Sequence, residues 1–215
     1  MLALDHFVIA ADNAAIASAQ YSSQYSIKAI KGGEHDQWGT YNYLAYFSNN
    51  CYIEWIDISN FNIARKSSNP LIKHLVHLRE NDETGLFQYA FRTNDLYKYI
   101  NHFNKNNIPF EGPFKGERER PDGSILSWKM LFPTYDYKKE ILPFLIEWDT
   151  PISERINPSL LNAQAIESIY FGAYNPKKFN NIYRLKFKSM YKNGIPLSNT
   201  KFHYSKEHKL KFTLV

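Results

Sequence analysis

The chain has 215 residues, a formal net charge of +5 and a composition that is 44% hydrophobic and 16% aromatic. This length and apolar content suffice for one globular unit of two modules with an appendage. No apolar run approaches the roughly 20 residues of a membrane-spanning helix, and no basic nucleic-acid-binding motif is present, so neither a membrane nor a nucleic acid is expected as a partner.

The first residues bear on localisation. Residues 1–11 include Asp5 and His6, which interrupt the apolar stretch that a secretory signal peptide requires. Cys51 is the single cysteine and cannot form an internal disulfide. We therefore expect a cytoplasmic protein.

Residues 1–60 are predicted to form a strand-helix-strand-strand-strand module. The apolar run at residues 4–12 is strand-like and ends in Asp12, a good N-cap for a weakly amphipathic helix. Two strands follow glycine-marked loops, and the last strand carries an Ile-Glu-Trp tripeptide centred on Glu54.

Residues 61–85 are predicted to be a helical linker. Asn69 can cap a helix and Pro70 suits its first position, and leucines follow at helical spacing. A helix is therefore expected between the two modules.

Residues 86–150 repeat the first module. A strand ending in Asp95 precedes a helix whose apolar residues Leu96, Ile100 and Phe103 share one face. Two strands follow, and then a strand with a second Ile-Glu-Trp, centred on Glu147. The repetition predicts two equivalent βαβββ modules.

Residues 151–215 are predicted to be a partial third module. Basic residues far outnumber acidic ones here, and the pattern is a strand, a helix and a hairpin at residues 202–215. Its hydrophobic residues predict that it packs on the first two modules, and its exposed last strand makes a homodimer conceivable. The expected fold is α+β, with paired βαβββ modules curling a mixed sheet around a cleft.

The two glutamates are the main chemical signal. Glu54 and Glu147 each interrupt an apolar strand. A buried carboxylate must be neutralised, paired with a cation or bound to a metal, because leaving it bare costs several kcal/mol or more. Since duplication carries equivalent positions to one centre, we expect both carboxylates to face a shared cleft beside His6.

Four segments together resemble a known family. The histidine-containing strand at residues 4–8, the loop at 32–42, the turn at 120–123 before Trp128, and residues 142–149 resemble the glyoxalase-like branch of the vicinal oxygen chelate superfamily. The resemblance covers residues 2–150 well. It is more specific for the fold than for an activity, because that superfamily includes isomerases, dioxygenases and metal-free binding proteins.

The resemblance implies a metal site with one ligand from the first and last strand of each module. By position these ligands are His6, Glu54 and Glu147, and the fourth position is Gln88 or Tyr89, depending on the strand register. Since neither is a histidine, the two-histidine, one-carboxylate site of an iron dioxygenase is not expected. The remaining set suits a divalent Zn, Mn, Fe or Ni ion, with no organic cofactor.

The same resemblance suggests functional roles. Glu54 and Glu147 are the candidate catalytic residues, one of which would leave the metal to move a proton. The candidate substrate contacts are Asn42, Trp38, Tyr89, Arg120 and Trp128, with His35 as a further wall residue.

Two functions are compatible with these residues. The first is a metal-dependent lyase or isomerase that acts on a small oxygenated metabolite. The alternative is a metal-free protein of the antibiotic-sequestering type, which binds a small ligand in the same cleft and keeps its glutamates as structural ion pairs.

Overall fold

The computed structural model describes residues 1–120, 123–137, 140–172, 175–185, 194–207 and 209–215. The turn predicted at residues 120–123 includes positions 121 and 122, which lie outside the described residues. In the part of the chain that is described, no helix has the length and apolar character needed to cross a membrane.

Each module contributes four strands and a helix. The first module consists of β1 (Ala3–Ala10), α1 (Ala14–Tyr25), β2 (Ile30–His35), β3 (Thr40–Phe47) and β4 (Cys51–Ile58). The linker holds α2 (Phe61–Ala64) and α3 (Pro70–Glu80). The second module consists of β5 (Gly85–Arg92), α4 (Leu96–Lys105), β6 (Phe110–Glu119), β7 (Ile125–Pro133) and β8 (Phe144–Trp148).

The eight strands form one curled mixed sheet in the order β2-β3-β4-β1-β5-β8-β7-β6. Exchanging the corresponding strands of the two modules reproduces this order in reverse, so a pseudo-two-fold axis runs between the antiparallel neighbours β1 and β5. The outer strands β2 and β6 approach each other, since a Cβ on Gly33 would lie 3.6 Å from the Glu119 backbone oxygen. The predicted α+β fold of paired modules around a cleft is confirmed.

Two β-bulges fix how the modules correspond. The pairing of β1 with β5 shifts at Asp5 on one strand and at Phe87 on the other. Superposing these bulges makes Gln88, and not Tyr89, the counterpart of His6. The register that the sequence left open is therefore the one that contains Gln88.

The sheet separates two cores. On its convex face, α1 and α4 cover large apolar side chains of the central strands, such as Phe7, Trp55 and Phe91. On its concave face, Ile72 and Leu75 of α3 join the apolar residues of the strands. The linker helix thus fills one part of the cleft and leaves the other part for a cavity.

The C-terminal part contains α5 (Ile152–Arg155), β9 (Leu161–Asn162), β10 (Ile166–Phe171), α6 (Pro176–Tyr183), β11 (Ile195–Pro196), β12 (Lys201–Tyr204) and β13 (Lys211–Leu214). Strand β9 pairs with β3, and the others form a sheet in the order β11-β12-β10-β13. Its apolar residues belong to the convex core, for example Phe171 and Phe202, so the predicted packing of this segment on the modules is confirmed.

The predicted C-terminal hairpin is wrong. Strands β12 and β13 both pair with β10, one parallel and one antiparallel, and do not pair with each other. In the same way β1 lies between β4 and β5. Strands β10, β12 and β13 therefore repeat the arrangement of β1, β4 and β5, in which the first strand lies between the two later ones.

Candidate functional site

A cavity of about 40 Å³ lies on the concave side of the sheet, beside α3. This volume holds roughly three waters, so a ligand, or the part of it that enters, must be small. The polar residues that line it are His6, His35, Asn42, Glu54 and Arg118, and the aromatic ones are Trp38, Tyr52, Trp128, Phe144 and Trp148.

Glu54 reaches the cavity because of its place on β4. Alternate residues of a strand face opposite sides, and Glu54 shares the concave side with Ile56, whereas Trp55 lies in the convex core. Its Oε1 accepts a hydrogen bond of 2.6 Å from Asn42 Nδ2, and its Oε2 lies 3.4 Å from His6 Nε2. Glu54 is only 7% exposed, and its carboxylate is held by two neighbours.

The bulge in β1 brings Asp5 and His6 together. Neighbouring residues of a regular strand point to opposite faces, but here Asp5 Oδ1 lies 2.8 Å from His6 Nδ1. Asp5 is fully buried and also accepts a hydrogen bond of 2.9 Å from Arg92 Nη1 and one of 3.2 Å from Trp148 Nε1. The His6 ring is stacked on Tyr52, with 4.5 Å between ring centroids.

The charge on Asp5 determines that His6 Nδ1 carries a proton. Burial alone would raise the pKa of Asp5, but the hydrogen bond and charge of His6 and the charges of Arg92 and Arg155 hold this pKa well below its usual range. Since the carboxyl is ionised, His6 Nδ1 donates to it. On its other side the His6 ring brings Nε2 to 3.4 Å from Glu54 Oε2.

Arg118 contributes a buried positive charge. It lies on β6 and is 9% exposed, and its Nη2 donates to Tyr46 Oη at the long distance of 3.4 Å. Its Nη1 is buried without a hydrogen-bond partner among the described residues, and so is Asn42 Oδ1. Two residues that line the cavity therefore each carry a buried polar atom for which no partner is found among the described residues.

His35 and the tryptophans form a wall of the cavity. Burial lowers the pKa of His35 to about 4, so this imidazole is neutral at pH 7. Its Nδ1 lies 3.1 Å from Thr40 Oγ1, and its ring is perpendicular to that of Trp128. Trp128 also packs on Trp148 across β7 and β8, with centroids 5.0 Å apart. These rings keep most water away from the polar groups.

Glu147 does not lie in the cavity, in contrast to the expectation that it shares a cleft with Glu54. On β8 its neighbours Ile146 and Trp148 face the cavity, so Glu147 faces the opposite side. There its Oε2 accepts a hydrogen bond of 2.6 Å from the backbone N–H of Leu96, the first residue of α4. It thus caps a helix, and the positive end of the helix dipole favours its charge.

The register explains this difference. Glu54 pairs with Val8, whose counterpart Ala90 pairs with Phe144. The position equivalent to Glu54 is therefore Phe144, three residues before Glu147. An odd displacement along a strand turns a side chain to the other face, so the two Ile-Glu-Trp tripeptides are alike in sequence and not in position.

The other predicted contacts divide in the same way. Asn42, Trp38 and Trp128 line the cavity, and His35 lies beside them. Tyr89 lies in the convex core. Arg120 donates from Nη2 to the Glu154 backbone oxygen at the surface. The structure thus brings together the residues predicted on the first module and Trp128, but not Tyr89 or Arg120.

The residues present do not fit the metal site implied by the resemblance. Of the four positions, only His6 and Glu54 present metal-ligating atoms to the cavity. Phe144 is apolar, and the Gln88 side chain is engaged in hydrogen bonds from its Nε2 to Tyr135 Oη and the Leu142 backbone oxygen. Among the described residues, no group of three or more His, Cys, Asp or Glu side chains could hold a metal ion. The guanidinium of Arg118 in the same cavity also disfavours a second cation.

Two charged residues of the site were missed from the sequence. A regular strand would turn Asp5 away from His6, and the bulge that brings them together cannot be recognised from a single sequence. Arg118 lies in a run of alternating charges, where Glu117 and Glu119 are exposed and Arg118 is buried. Alternate residues of a strand face the same side, so the small residue Gly116, two positions before Arg118, was the available sign that Arg118 faces inward.

The chain belongs to a family defined by this fold. The model of the glyoxalase-like domain family matches residues 4–186, which is most of the chain. No curated protein matches the sequence.

Solved structures support the same fold. A hypothetical protein from Staphylococcus aureus aligns with a TM-score of 0.77 at 22% identity, over 97% of this chain and 88% of that one. Methylmalonyl-CoA epimerase from Mycobacterium tuberculosis aligns with a TM-score of 0.51 at 16% identity, over 71% and 91% of the two chains. The Streptomyces coelicolor epimerase, in complex with 2-nitronate-propionyl-CoA, gives 0.50 at 13% identity, over 68% and 97%. These identities establish the fold alone.

Proposed function

We propose that this protein is an isomerase- or lyase-type enzyme that moves a proton on a small oxygenated metabolite, with Glu54 and His6 as the catalytic pair. The observation that carries the proposal is the buried Asp5–His6–Glu54 array, in which His6 lies between two carboxylates beside a cavity. Such a pair can accept a proton at one group and release one from the other. Asp5 fixes the orientation of His6.

The array suits proton removal from a carbon next to a carbonyl group. The carbon–hydrogen bond breaks and Glu54 or His6 takes the proton, while the electron pair moves onto the carbonyl oxygen to give an enolate. The positive charge of Arg118 in the same water-poor cavity favours this anion. The proton then returns to another carbon or to the other face of the same carbon.

Deuterium exchange over a panel of compounds tests the proposal even though the substrate is unidentified. Small hydroxycarbonyl compounds, ketones and 2-oxo acids are incubated with the enzyme in D₂O, and loss of carbon-bound protons is followed by NMR. We expect the wild type to exchange at least one of them, and Glu54→Gln to lower the rate by about 10²- to 10⁴-fold, the usual contribution of a general base. Glu147→Gln serves as the matched control, because this carboxylate caps α4 outside the cavity.

A second candidate is a metal-free binding protein for a small ligand. The observation that favours it is the aromatic wall of Trp38, Trp128 and Trp148, which would stack on a flat ligand. Ligand binding seen by tryptophan fluorescence, with no exchange in any compound tested, would support this function and contradict the enzyme. In either case the partner is a small molecule, and we propose that the protein acts in the cytoplasm.

A further inference from the structure

Arg118 is a buried cation for which no ion pair with a carboxylate is found among the described residues, although Glu54 lines the same cavity. The carboxylates around it, on Glu34, Asp36, Glu117 and Glu119, line a groove on its outer side. These four side chains belong to residues that are mostly exposed, so water screens their charges. They balance the charge of the guanidinium at a distance but leave its Nη1 without a hydrogen bond.

A buried guanidinium N–H without an acceptor is unfavourable, and replacement by an apolar side chain would remove the cost. Its place in the cavity beside Glu54 indicates that the acceptor is a ligand. Since Arg118 is positive and can present two N–H groups in one plane, the acceptor that it suits best is a carboxylate.

Asn42 supplies a second, independent observation. Its Nδ2 is committed to Glu54, while its Oδ1 is buried without a partner. A Cβ on Gly32 would lie 2.8 Å from Arg118 Nη1 and would clash with Asn42 Oδ1, so the unused donor and acceptor face the same bare stretch of backbone. A hydroxyl group near a carboxylate would satisfy Asn42 Oδ1.

We propose that the cavity binds a short carboxylate with a hydroxyl or carbonyl group on the neighbouring carbon, and that Arg118 is its anchor. Arg118 Nη1 donates to the carboxylate, and Asn42 Oδ1 accepts from a hydroxyl when one is present. The cavity of about 40 Å³ limits the part of the ligand that enters it to a few carbon atoms. This inference names the substrate class of the proposed enzyme, but the binding it predicts is measured without turnover.

The test measures the binding of glycolate, lactate, glyoxylate and pyruvate, each beside its uncharged amide. Tryptophan fluorescence reports binding, since Trp38, Trp128 and Trp148 line the cavity. We expect at least one acid to bind the wild type and to bind Arg118→Met about 10- to 100-fold more weakly, the usual effect of losing a charge-assisted hydrogen bond. The matched control Arg120→Met removes a surface arginine nearby and should bind as the wild type does.

Two further measurements separate this inference from the proposed reaction. Thermal unfolding without ligand should show Arg118→Met as stable as the wild type or more stable, which excludes loss of binding through unfolding. Glu54→Gln should still bind the acid even though it no longer catalyses exchange. The inference is overturned if no acid binds at concentrations up to about 10 mM, if the amide binds as well as the acid, or if Arg118→Met binds as the wild type does.

Discussion

The two modules share one strand order and differ in what their equivalent positions carry. In the first module, His6 and Glu54 face the cavity, with Asp5 in the bulge of β1. In the second, the equivalent positions hold Gln88 and Phe144, and Phe87 occupies the bulge. The two modules therefore share a backbone arrangement, while the acid–base residues lie in the first module and the second contributes Arg118 of β6 to the cavity.

Apart from Arg118, the polar residues of the second half near these positions have structural roles. Gln88 bonds to Tyr135 and to the Leu142 backbone, and Glu147 caps α4. The apolar face of α3 covers much of the concave surface. A repeated tripeptide therefore identifies a repeated strand, but the pairing register of that strand decides which side chain of the tripeptide faces the site.

The largest effect on stability is expected at the bulge position of the first module. Asp5→Asn removes the carboxylate that neutralises Arg92 and Arg155, the second of which is 4.0 Å away. Breaking a buried charge pair costs about 3 to 5 kcal/mol. Urea unfolding at pH 7 measures this change.

The control for Asp5→Asn is Asp149→Asn, which breaks the exposed pair with Lys129 and should cost less than about 1 kcal/mol. Equal effects of the two substitutions would contradict the role of Asp5. Because the folded-state pKa of Asp5 is lowered from 3.8, its contribution is present above that pH and is lost as the pH falls further.

The fold could be predicted well from the sequence, and the site only in part. Hydrophobic periodicity and N-cap residues located the strands and helices of both modules, because these signals are local, although α1 is capped by Asn13 and not by the predicted Asp12. The position of Glu147 could not be derived, since a displacement of three residues between the modules depends on pairing across the sheet. Arg118 joins the site only through the curvature that brings β6 beside β2, which is a long-range property.

A smaller effect on stability is expected from two buried histidines, His35 beside the cavity and His74 on α3. Burial lowers the pKa of both His35 and His74 to about 4. The unfolded chain, in which these groups titrate near 6.5, therefore binds more protons between pH 6.5 and 4, and stability falls as the pH is lowered through this range. Each histidine should account for about 2 kcal/mol of the loss between pH 7.5 and 5.

Urea unfolding at pH 7.5 and 5 checks the histidine prediction. His35→Gln and His74→Gln should each lose less stability between these two pH values than the wild type does. An unchanged pH dependence in both variants would show that other groups cause it. A weaker pH dependence in only one of the variants would assign the loss of stability to that histidine.

The smallest effect is expected at Glu147. Glu147→Gln keeps an oxygen that can accept from the Leu96 N–H but loses the charge that the helix dipole favours. We expect a loss of about 0.5 to 1 kcal/mol, measured by thermal or urea unfolding. A loss of several kcal/mol would instead indicate that the carboxylate is paired with a cation.

The central claim is that one carboxylate, and not two, does the chemistry. Deuterium exchange of the best compound of the panel, measured for Glu54→Gln and Glu147→Gln in parallel, tests it most directly. The structure predicts that Glu147→Gln exchanges protons at the wild-type rate while Glu54→Gln is about 100-fold slower or worse. Loss of exchange in Glu147→Gln, with exchange retained in Glu54→Gln, would contradict the account.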